Sequence, residues 1–479
     1  MKLEQQQEKL PEIKFYGGAF GALLPFFIFV TGVIIIALSG APDEKGFWPV
    51  LILALALGLV LCKNRAAFSE VVISGMSQKI VMIMITAWIL ASIIGILMTL
   101  TGFVEALIWL SDLLHLSGPG FVIATFLICC IVSLSTGSSF ATILICSPLL
   151  YPTGGVLGAP LPVLAGAIIG GATFGDFIAP ISDTTIASAL SQDAQIGTVI
   201  KSRLKYLLPA ALLAIIGYLA VSFAMGSPEP VSTTAVLGDP KGLPMLLIPA
   251  YIIYLFLRGK HLLHGLLFGL LFGTLLGLVT GLLPVSEIIS LDLENFTARS
   301  FIIDGINRAI GLSIFTILLM GLVATLKASG LMKLVVDFAA TRTQTEKHAE
   351  GWIAGVMSIA VLLTTHSIVA ILMVTDFTKK TGERLGVSKV RRANLLSLIA
   401  CIFPFVLPYF IPVILMANMT MTGQEYGIAQ VSPLEVGLYN FMSWGLLLVA
   451  LGTLVFGLGK TKMITKENGK EKGTPRRSI

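Results

Sequence analysis

The stretch that decides the fold runs Gly170-Gly171-Ala172-Thr173-Phe174-Gly175-Asp176-Phe177-Ile178-Ala179-Pro180-Ile181-Ser182-Asp183-Thr184-Thr185. It contains two carboxylates, a proline and four hydroxyls, in a chain that is otherwise suited to lipid. Unpaired polar groups at membrane depth cost several kcal/mol each, so such clusters occur where they line a cavity or an ion site. This stretch is the primary candidate site.

The composition predicts a multi-pass membrane protein. Of the 479 residues, 56% are hydrophobic and 12% are charged, against roughly 25% charged residues in soluble domains. Apolar runs are long enough to cross a core of ~30 Å; they lie at 17–38, 48–62, 80–100, 205–224, 243–257, 262–283, 309–326, 394–417 and 434–459. The first fourteen residues are polar and do not resemble a signal peptide, so the first apolar run is expected to remain as a span.

The basic residues are spread over loops, which argues against a nucleic-acid partner despite the net charge of +6. By the positive-inside rule these loops are cytoplasmic, as are both termini, and the protein is expected in the cell membrane, in contact with lipid. The basic set comprises Lys63, Arg65, Lys201, Arg203, Lys205, Arg258, Lys260, the segment 379–392 and the tail 460–479. The five cysteines lie in apolar segments and are interpreted as small buried hydrophobic residues.

Comparison of the chain with itself indicates a repeat with an offset of 228 residues (381 − 153). The segment 153–158 matches 381–386, and Gly102, Ser139 and Pro180 recur as Gly330, Ser367 and Pro408. The first loop is uncharged and the second is strongly basic, so one is expected outside and the other inside. This is the pattern of inverted-topology repeats, whose sites lie near the membrane midplane. The predicted divisions are a tail at 1–16, repeat 1 at 17–226, an extracytoplasmic linker at 227–242, repeat 2 at 243–459 and a basic tail at 460–479.

Each repeat contains a polar interruption and, later, a span broken by proline. The interruptions are Ser133–Ser139 and Thr364–Ser367, and they are interpreted as tips of re-entrant hairpins because the flanking apolar stretches are short. The broken spans contain Pro180 and Pro408. Carbonyls freed by proline, together with hydroxyls and carboxylates, are hard oxygen donors that suit Na⁺. The predicted fold class is therefore an all-α polytopic membrane protein with two inverted repeats, re-entrant hairpins and proline-broken helices.

Two motifs carry a family resemblance: Ser135-Thr136-Gly137-Ser138-Ser139 and the stretch from Gly171 to Thr185. Together they resemble the signature of the NhaC-type Na⁺/H⁺ antiporters, a family of the ion transporter superfamily. The resemblance implies a homodimeric secondary transporter, with Na⁺ and H⁺ as its transported ions, no further cofactor or metal, and a role in pH homeostasis. It also covers exchangers of small carboxylates.

The residues predict which groups would bind the cation. Asp176 or Asp183 would hold Na⁺ and H⁺ in turn, since a partly desolvated carboxylate binds either cation, although both residues could instead cap helices or form salt bridges. His366 is a candidate proton or pH-modulating site because histidine titrates near physiological pH, although a lone histidine is commonly structural. The neutral oxygens would come from Ser182, Thr184, Thr185, Thr136 and Ser138, any of which could bond only its own helix.

Two other function classes compete with cation exchange. An intramembrane aspartyl protease would carry Gly-x-Gly-Asp, but Thr173 replaces the first glycine, so the chain is not expected to be an enzyme. A Na⁺- or H⁺-coupled carrier of a small organic anion of the malate or lactate type, or of an amino acid, is the stronger rival, because half-helix N-termini can bind a carboxylate. A buried arginine would favour that rival. The apolar runs contain none well inside them, with Arg308 only at an edge, which favours cation exchange by alternating access.

Overall fold

The computed structural model describes residues 11–39, 44–114, 118–226, 238–293 and 297–457. Most of the predicted linker at 227–242 and the whole tail at 460–479 lie outside these residues, as do the first ten residues of the N-terminal tail. The described part of the chain is helical, apart from a two-stranded antiparallel ribbon of β1 (Ser290–Asp292) and β2 (Thr297–Arg299). The all-α prediction is therefore confirmed for the architecture as a whole.

The helices of the first half end with a span of 30 residues that contains Pro209. They are α1 Ala19–Leu38, α2 Phe47–Leu61, α3 Arg65–Met76, α4 Lys79–Leu100, α5 Phe103–Leu113, α6 Gly118–Thr136, α7 Ser139–Val156, α8 Leu161–Ile178, α9 Asp183–Ser191 and α10 Ile196–Met225.

The second half has shorter helices and more breaks. They are α11 Leu247–Leu257, α12 Leu262–Val279, α13 Val285–Ile288, α14 Phe301–Ala328, α15 Leu331–Arg342, α16 Glu346–Thr364, α17 Ser367–Arg384, α18 Lys389–Ala400, α19 Ile411–Met419, α20 Pro433–Leu438 and α21 Phe441–Phe456. Short 3₁₀ turns occupy Glu44–Gly46, Pro240–Leu246, Phe403–Phe405 and Thr420–Tyr426.

Eight helical segments of the described chain are long and apolar enough to cross a membrane, so the protein is a multi-pass membrane protein. The segments are Ala19–Ile36, Lys79–Leu100, Gly118–Thr136, Ser139–Val156, Leu161–Ser191, Ile196–Met225, Leu262–Val279 and Phe301–Ala328. Helices α6 and α7 are thus longer than the apolar stretches at 121–132 and 140–151, because glycine, serine and threonine extend each helix beyond its strictly apolar part. Their re-entrance stays a prediction.

Helix boundaries in the two halves recur at the 228-residue offset. Helix α7 begins at Ser139 and α17 at Ser367, while α9 covers Asp183–Ser191 and α19 covers Ile411–Met419. The residue before each hairpin's second helix is extended, and the one before that is left-handed, with φ of 64° at Gly137 and 51° at Thr365. The same local backbone therefore occurs at both tips, although only one tip contains glycine.

The two halves are interleaved where their breaks lie. Helix α9 of the first half packs against α17 and α18 of the second, and α19 packs against α7 in return. Helix α8 lies between α6 and α7, and the close approach of α6 needs a glycine, because a Cβ at Gly175 would collide with Ser133. This packing brings both tips and both breaks to one place.

Candidate functional site

The first-half break follows from one proline. Helix α8 ends at Ile178, its last turn is closed by the Ala179 amide bonding Gly175 O at 2.7 Å, and α9 begins at Asp183. Pro180 has no amide to donate, so the carbonyl four residues earlier, that of Asp176, loses its helical partner. The break thus exposes a backbone oxygen beside the Asp176 carboxylate.

Three hydroxyls surround Asp176, which is buried. Ser139 Oγ donates to Oδ2 at 3.1 Å, and Ser182 Oγ lies 2.8 Å from Oδ1. Thr184 Oγ1 donates to the freed Asp176 carbonyl at 2.7 Å and lies 2.9 Å from Ser182 Oγ. A hydroxyl that donates its proton keeps lone pairs, so this cluster offers neutral oxygens and a carboxylate to a hard cation.

Ser182 stands at the N-cap of α9 and would ordinarily bond an amide of the first turn. Its side chain makes no capping bond and turns to Asp176 instead. The Ser182 hydroxyl therefore bonds the Asp176 carboxylate and leaves the first turn of α9 without a side-chain cap. Local structure that is not optimal for stability is common at functional sites.

Ser139 reaches Asp176 from the first hairpin tip, where the chain turns at Gly137. The tip lies directly on the break, because a Cβ at Gly137 would stand 3.0 Å from the backbone of Ile181 and of Ser182. The first tip and the break therefore pack directly against each other. A shift of the tip would move the Ser139 hydroxyl, which donates to Asp176.

Asp183 differs from Asp176 in its surroundings. It is the first residue of α9, its side chain is exposed to open space, and no hydrogen-bond donor contacts it among the described residues. Asp183 lines two neighbouring cavities. Asp183 is therefore the more accessible of the two carboxylates, whereas Asp176 is buried.

The smaller cavity, of about 70 Å³, lies between the breaks and tips of both halves. Its polar lining is Ser138, Ser139, Asp176, Asp183, Thr184, Thr365, His366 and Ser367, and its apolar side includes Pro404, Phe405, Ile411 and Pro412. The second half thus contributes no carboxylate to this cavity. Both carboxylates come from the first half.

The larger chamber, of about 590 Å³, shares Asp183, Ser138 and His366 with the smaller cavity. It extends past α4 to the connection between α11 and α12, where Lys260 and His261 line it. Most of its remaining lining is apolar and includes Ile83, Met84, Trp88, Phe140, Leu144 and Phe256. The chamber is large enough for hydrated ions or a small organic solute.

Most of the predicted site residues come together. Asp176, Asp183, Ser182, Thr184, Ser138 and His366 border the smaller cavity or contact Asp176 directly. Two predicted ligands do not: Thr185 Oγ1 accepts from Arg203 at 2.8 Å, and Thr136 Oγ1 bonds the backbone of Ser138 at 3.4 Å. Pro180 and Pro408 lie in the breaks, as expected.

His366 lies at the second tip, as the N-cap residue of α17, and its side chain makes no capping bond. Its Nδ1 is buried and has no hydrogen-bond partner among the described residues, and Lys327 is close enough for its charge to act on the ring. His366 is not bonded to any predicted ligand.

Two residues at the site were not predicted. Ser139 belongs to the first-tip motif but was not predicted as a ligand, and its hydroxyl donates to Asp176. The sequence feature that could have identified it is the recurrence of serine 228 residues later, at Ser367. Arg203 corrects the expectation that no arginine lies inside a span. Helix α10 begins nine residues before the apolar run at 205–224, so Arg203 falls within it and is 0% exposed.

An ion pair outside the spans also joins the two halves. Lys379 of α17 lies 2.5 Å from Asp193, in the turn after α9, and this contact holds the pKa of the Asp193 carboxyl below its usual value. Both side chains are substantially exposed, so the pair contributes little to stability. It marks the edge at which α9 meets the second hairpin.

A known protein family matches part of the first half of the chain. Residues 28–223 match the Na⁺/H⁺ antiporter family, and this segment includes Asp176, Asp183 and Arg203. The chain is 28% identical over 186 residues to the malate-2H⁺/Na⁺-lactate antiporter of Bacillus subtilis, which covers 39% of each protein.

Two relatives carry the name Na⁺/H⁺ antiporter NhaC. The one from Alkalihalophilus pseudofirmus is 35% identical over 135 residues, covering 28% of this chain and 29% of the relative. The one from Bacillus subtilis is 34% identical over 99 residues, covering 20% and 22%. The chain therefore matches at most about two-fifths of the length of these curated relatives.

Proposed function

We propose, from the match of residues 28–223 to the Na⁺/H⁺ antiporter family, that the protein belongs to this family and exchanges Na⁺, or another small monovalent cation, for H⁺ by alternating access. The observation that carries the proposal is Asp176 at a helix break beside a cavity that both halves line. Ser139 and Ser182 donate to its carboxylate, and Thr184 donates to its backbone carbonyl. In this role the protein serves pH homeostasis, from the cell membrane, with cytoplasmic termini.

Competition at the carboxylates is sufficient for exchange. A carboxylate removed from bulk water is unstable as a bare anion, so it binds either Na⁺ or H⁺. Asp183 receives the ion from the chamber, and Asp176, with Ser139, Ser182 and Thr184, completes its coordination. Na⁺ entering displaces a proton, and a proton entering displaces Na⁺.

The matched helix boundaries support an inverted-repeat arrangement in this proposal. The larger chamber reaches the loop that contains Arg258 and Lys260, which the positive-inside rule assigns to the cytoplasm. The chamber is therefore the inward access path, and the hairpins and broken helices are the parts that move. We include a homodimer because the family resemblance implies one.

Transport by purified protein in proteoliposomes tests the proposal. With an imposed pH gradient, adding Na⁺, Li⁺ and K⁺ in turn identifies the cation by collapse of the gradient. We expect Asp176→Asn and Asp183→Asn each to cripple exchange, with at least one abolishing it, and Asp337→Asn, at an exposed carboxylate on α15, to leave it intact. Near-normal Na⁺-dependent proton flux in both site variants would place the cation site elsewhere.

Exchange of a small organic anion is the second candidate. The relative named as a malate-2H⁺/Na⁺-lactate antiporter and the volume of the chamber, lined by Lys260 and His261, favour it. Adding malate, lactate and amino acids to the same proteoliposomes separates the candidates. If uptake of a carboxylate depends on the Na⁺ or H⁺ gradient, then cation movement is coupled to transport of that organic anion.

His366 stays in the proposal as a group that modulates exchange. It lines both cavities beside Asp183, and Lys327 is the other cation whose charge reaches it. Burial and the Lys327 cation both disfavour protonation of the imidazole. We therefore expect His366→Gln to retain exchange at alkaline pH and to flatten the dependence of apparent Na⁺ affinity on pH only at acidic pH, where a protonated imidazole would repel Na⁺. Superimposable curves would assign His366 a structural role, and loss of exchange at alkaline pH would make it obligatory.

A further inference from the structure

Arg203 is a fully buried cation, and its hydrogen-bond partners among the described residues are all neutral. Its Nη1 donates to Phe177 O at 2.7 Å and to Thr185 Oγ1 at 2.8 Å, and Nη2 donates to Ser188 Oγ at 2.7 Å. Its Nε donates to Asn394 Oδ1 of α18 at 3.3 Å. The guanidinium thus joins the end of α8, helix α9 and the second half.

These contacts satisfy the hydrogen-bonding groups of Arg203 but not its charge. No carboxylate of the described chain lies within ion-pair distance of it, and a buried charge without a counter-ion is costly. The carboxylate whose charge acts on Arg203 is Asp176, on the adjoining last turn of α8. The guanidinium bonds the backbone carbonyl of Phe177, the residue that follows Asp176 in the chain.

The second half provides an internal comparison. Phe405 stands 228 residues after Phe177, its carbonyl is also freed by a break, and it accepts from Asn440 Nδ2 at 2.9 Å. A neutral amide is therefore sufficient to satisfy this carbonyl. In the second half, Pro404 and Ile411 occupy the positions of Asp176 and Asp183. The carbonyl at the break with carboxylates is thus bonded by an arginine, and the corresponding carbonyl at the break without them is bonded by an asparagine.

We infer that Arg203 is a positioning residue that balances one of the two site carboxylates, so that the site becomes neutral on binding a single monovalent cation. This inference rests on the proposed function. With Arg203 in place, the empty site carries a net charge of −1 from Asp176, Asp183 and the guanidinium. The fixed charge also weakens the hold of the site on protons, and so sets the pH range in which Na⁺ displaces them.

Few other groups that could titrate face Asp176. Asp183 faces it from α9 and Arg203 from α10, Cys401 lies close enough to interact from the end of α18, and His366 lines the same cavity. Helix α7 contributes only the uncharged Ser139 hydroxyl among the described contacts of the Asp176 carboxylate, and Glu435 of α20 caps its own helix. Arg203 is therefore the fixed positive charge of this set.

The test measures exchange against pH in proteoliposomes for wild type, Arg203→Gln and Arg203→Lys. We expect Arg203→Gln to shift the half-maximal pH of Na⁺-driven proton flux to alkaline values by about one unit, and to tighten apparent Na⁺ affinity at the most alkaline pH. Arg203→Lys keeps the charge and should retain the wild-type half-maximal pH at a reduced rate. Arg391→Gln removes a buried arginine paired with Glu350 at 3.0 Å and serves as the control, with an unshifted profile.

A double-mutant cycle on thermal stability gives a second measurement that does not depend on transport. If Arg203 compensates Asp176, then Asp176→Asn should recover part of the stability lost in Arg203→Gln. An unshifted pH profile in Arg203→Gln, or strictly additive stability changes in the cycle, would overturn the inference. A wild-type protein without exchange activity would refute the proposed function, while the cycle would still decide the role of Arg203.

Discussion

Asp176 and Asp183 lie on either side of one proline and have opposite surroundings. Asp176 is enclosed by hydroxyls at the end of α8, whereas Asp183 faces open space at the start of α9. This difference suits a site in which one carboxylate receives the ion and the other completes its coordination. In the proposed exchange, the neutral oxygens that contact Asp176 would determine how well Na⁺ competes with H⁺.

Ser139→Ala tests that coordination at a single hydroxyl. A hydrogen bond to a charged group contributes roughly 1.5–3 kcal/mol, and each ~1.4 kcal/mol changes an affinity about tenfold. We expect the apparent Na⁺ constant of exchange to rise by about tenfold at fixed pH. Ser135→Ala is the matched control, because Ser135 Oγ bonds only Ile131 O of its own helix; equal constants in the two variants would remove Ser139 from the site.

The sequence predicted the residue types of the site better than their contacts. The carboxylates and Ser182 and Thr184 could be chosen because polar groups are rare in an apolar chain. Thr185 could not be excluded, since its hydroxyl is taken by Arg203, a partner eighteen residues away. Arg203 was missed because an apolar-run criterion ends a span at the first cluster of charges, whereas α10 continues through it.

At the scale of elements, the site depends on where helices stop. Pro180 interrupts the backbone hydrogen bonds of the last turn of α8. Ser182 and Thr184 bond the freed Asp176 carbonyl, and Arg203 bonds that of Phe177. The break therefore leaves few backbone groups unpaired beside the Asp176 carboxylate. The proline itself made the break predictable. The break between α6 and α7 falls within the predicted polar interruption, whereas the re-entrance of the two helices stays a prediction. Both helices extend further than their apolar cores, because small polar residues continue a helix that hydropathy alone would end.

Gly137→Ala tests the contact between tip and break. The residue has a φ of 64°, a strained value for alanine that costs of the order of 1–2 kcal/mol. A Cβ there would also press on the Ile181 side chain and on the backbone of Ser182. We expect lower thermal stability and a maximal exchange rate reduced severalfold.

Gly355→Ala is the control for this variant, because Gly355 lies inside α16 with open space where its Cβ would stand. It should preserve both stability and rate. Thr365, at the corresponding position of the second tip, adopts a φ of 51°, so backbone strain alone is tolerated there. An unchanged rate in Gly137→Ala would show that the tip does not set the position of the break.

At the scale of the whole molecule, the halves are joined by exchanged contacts. Helix α9 packs on α17 while α19 packs on α7, and the Asp193–Lys379 pair closes one edge. The 228-residue offset was visible in the sequence because turns and breaks require glycine and proline. The packing of one half's break against the other half's hairpin was not visible, since it depends on tertiary contacts with no local signal.

Accessibility to thiol reagents tests the inverted topology. Leu157 and Leu385 are partly exposed residues at the ends of α7 and α17, separated by 228 positions. Cysteines at these two positions, in a background without the five native cysteines, should be labelled by an impermeant reagent from opposite sides: Leu157→Cys from outside and Leu385→Cys from the cytoplasm. Labelling of both from one side would contradict the inverted repeats.

Proton release on Na⁺ binding is a direct measure of whether Na⁺ and H⁺ compete for the carboxylates of the first half. Purified protein in weak buffer, followed with a pH-sensitive dye, should release protons when Na⁺ is added, and its apparent Na⁺ affinity should fall as pH falls. In Asp176→Asn the release should be greatly reduced. Na⁺ binding that releases no protons and has the same affinity at every pH would contradict the account.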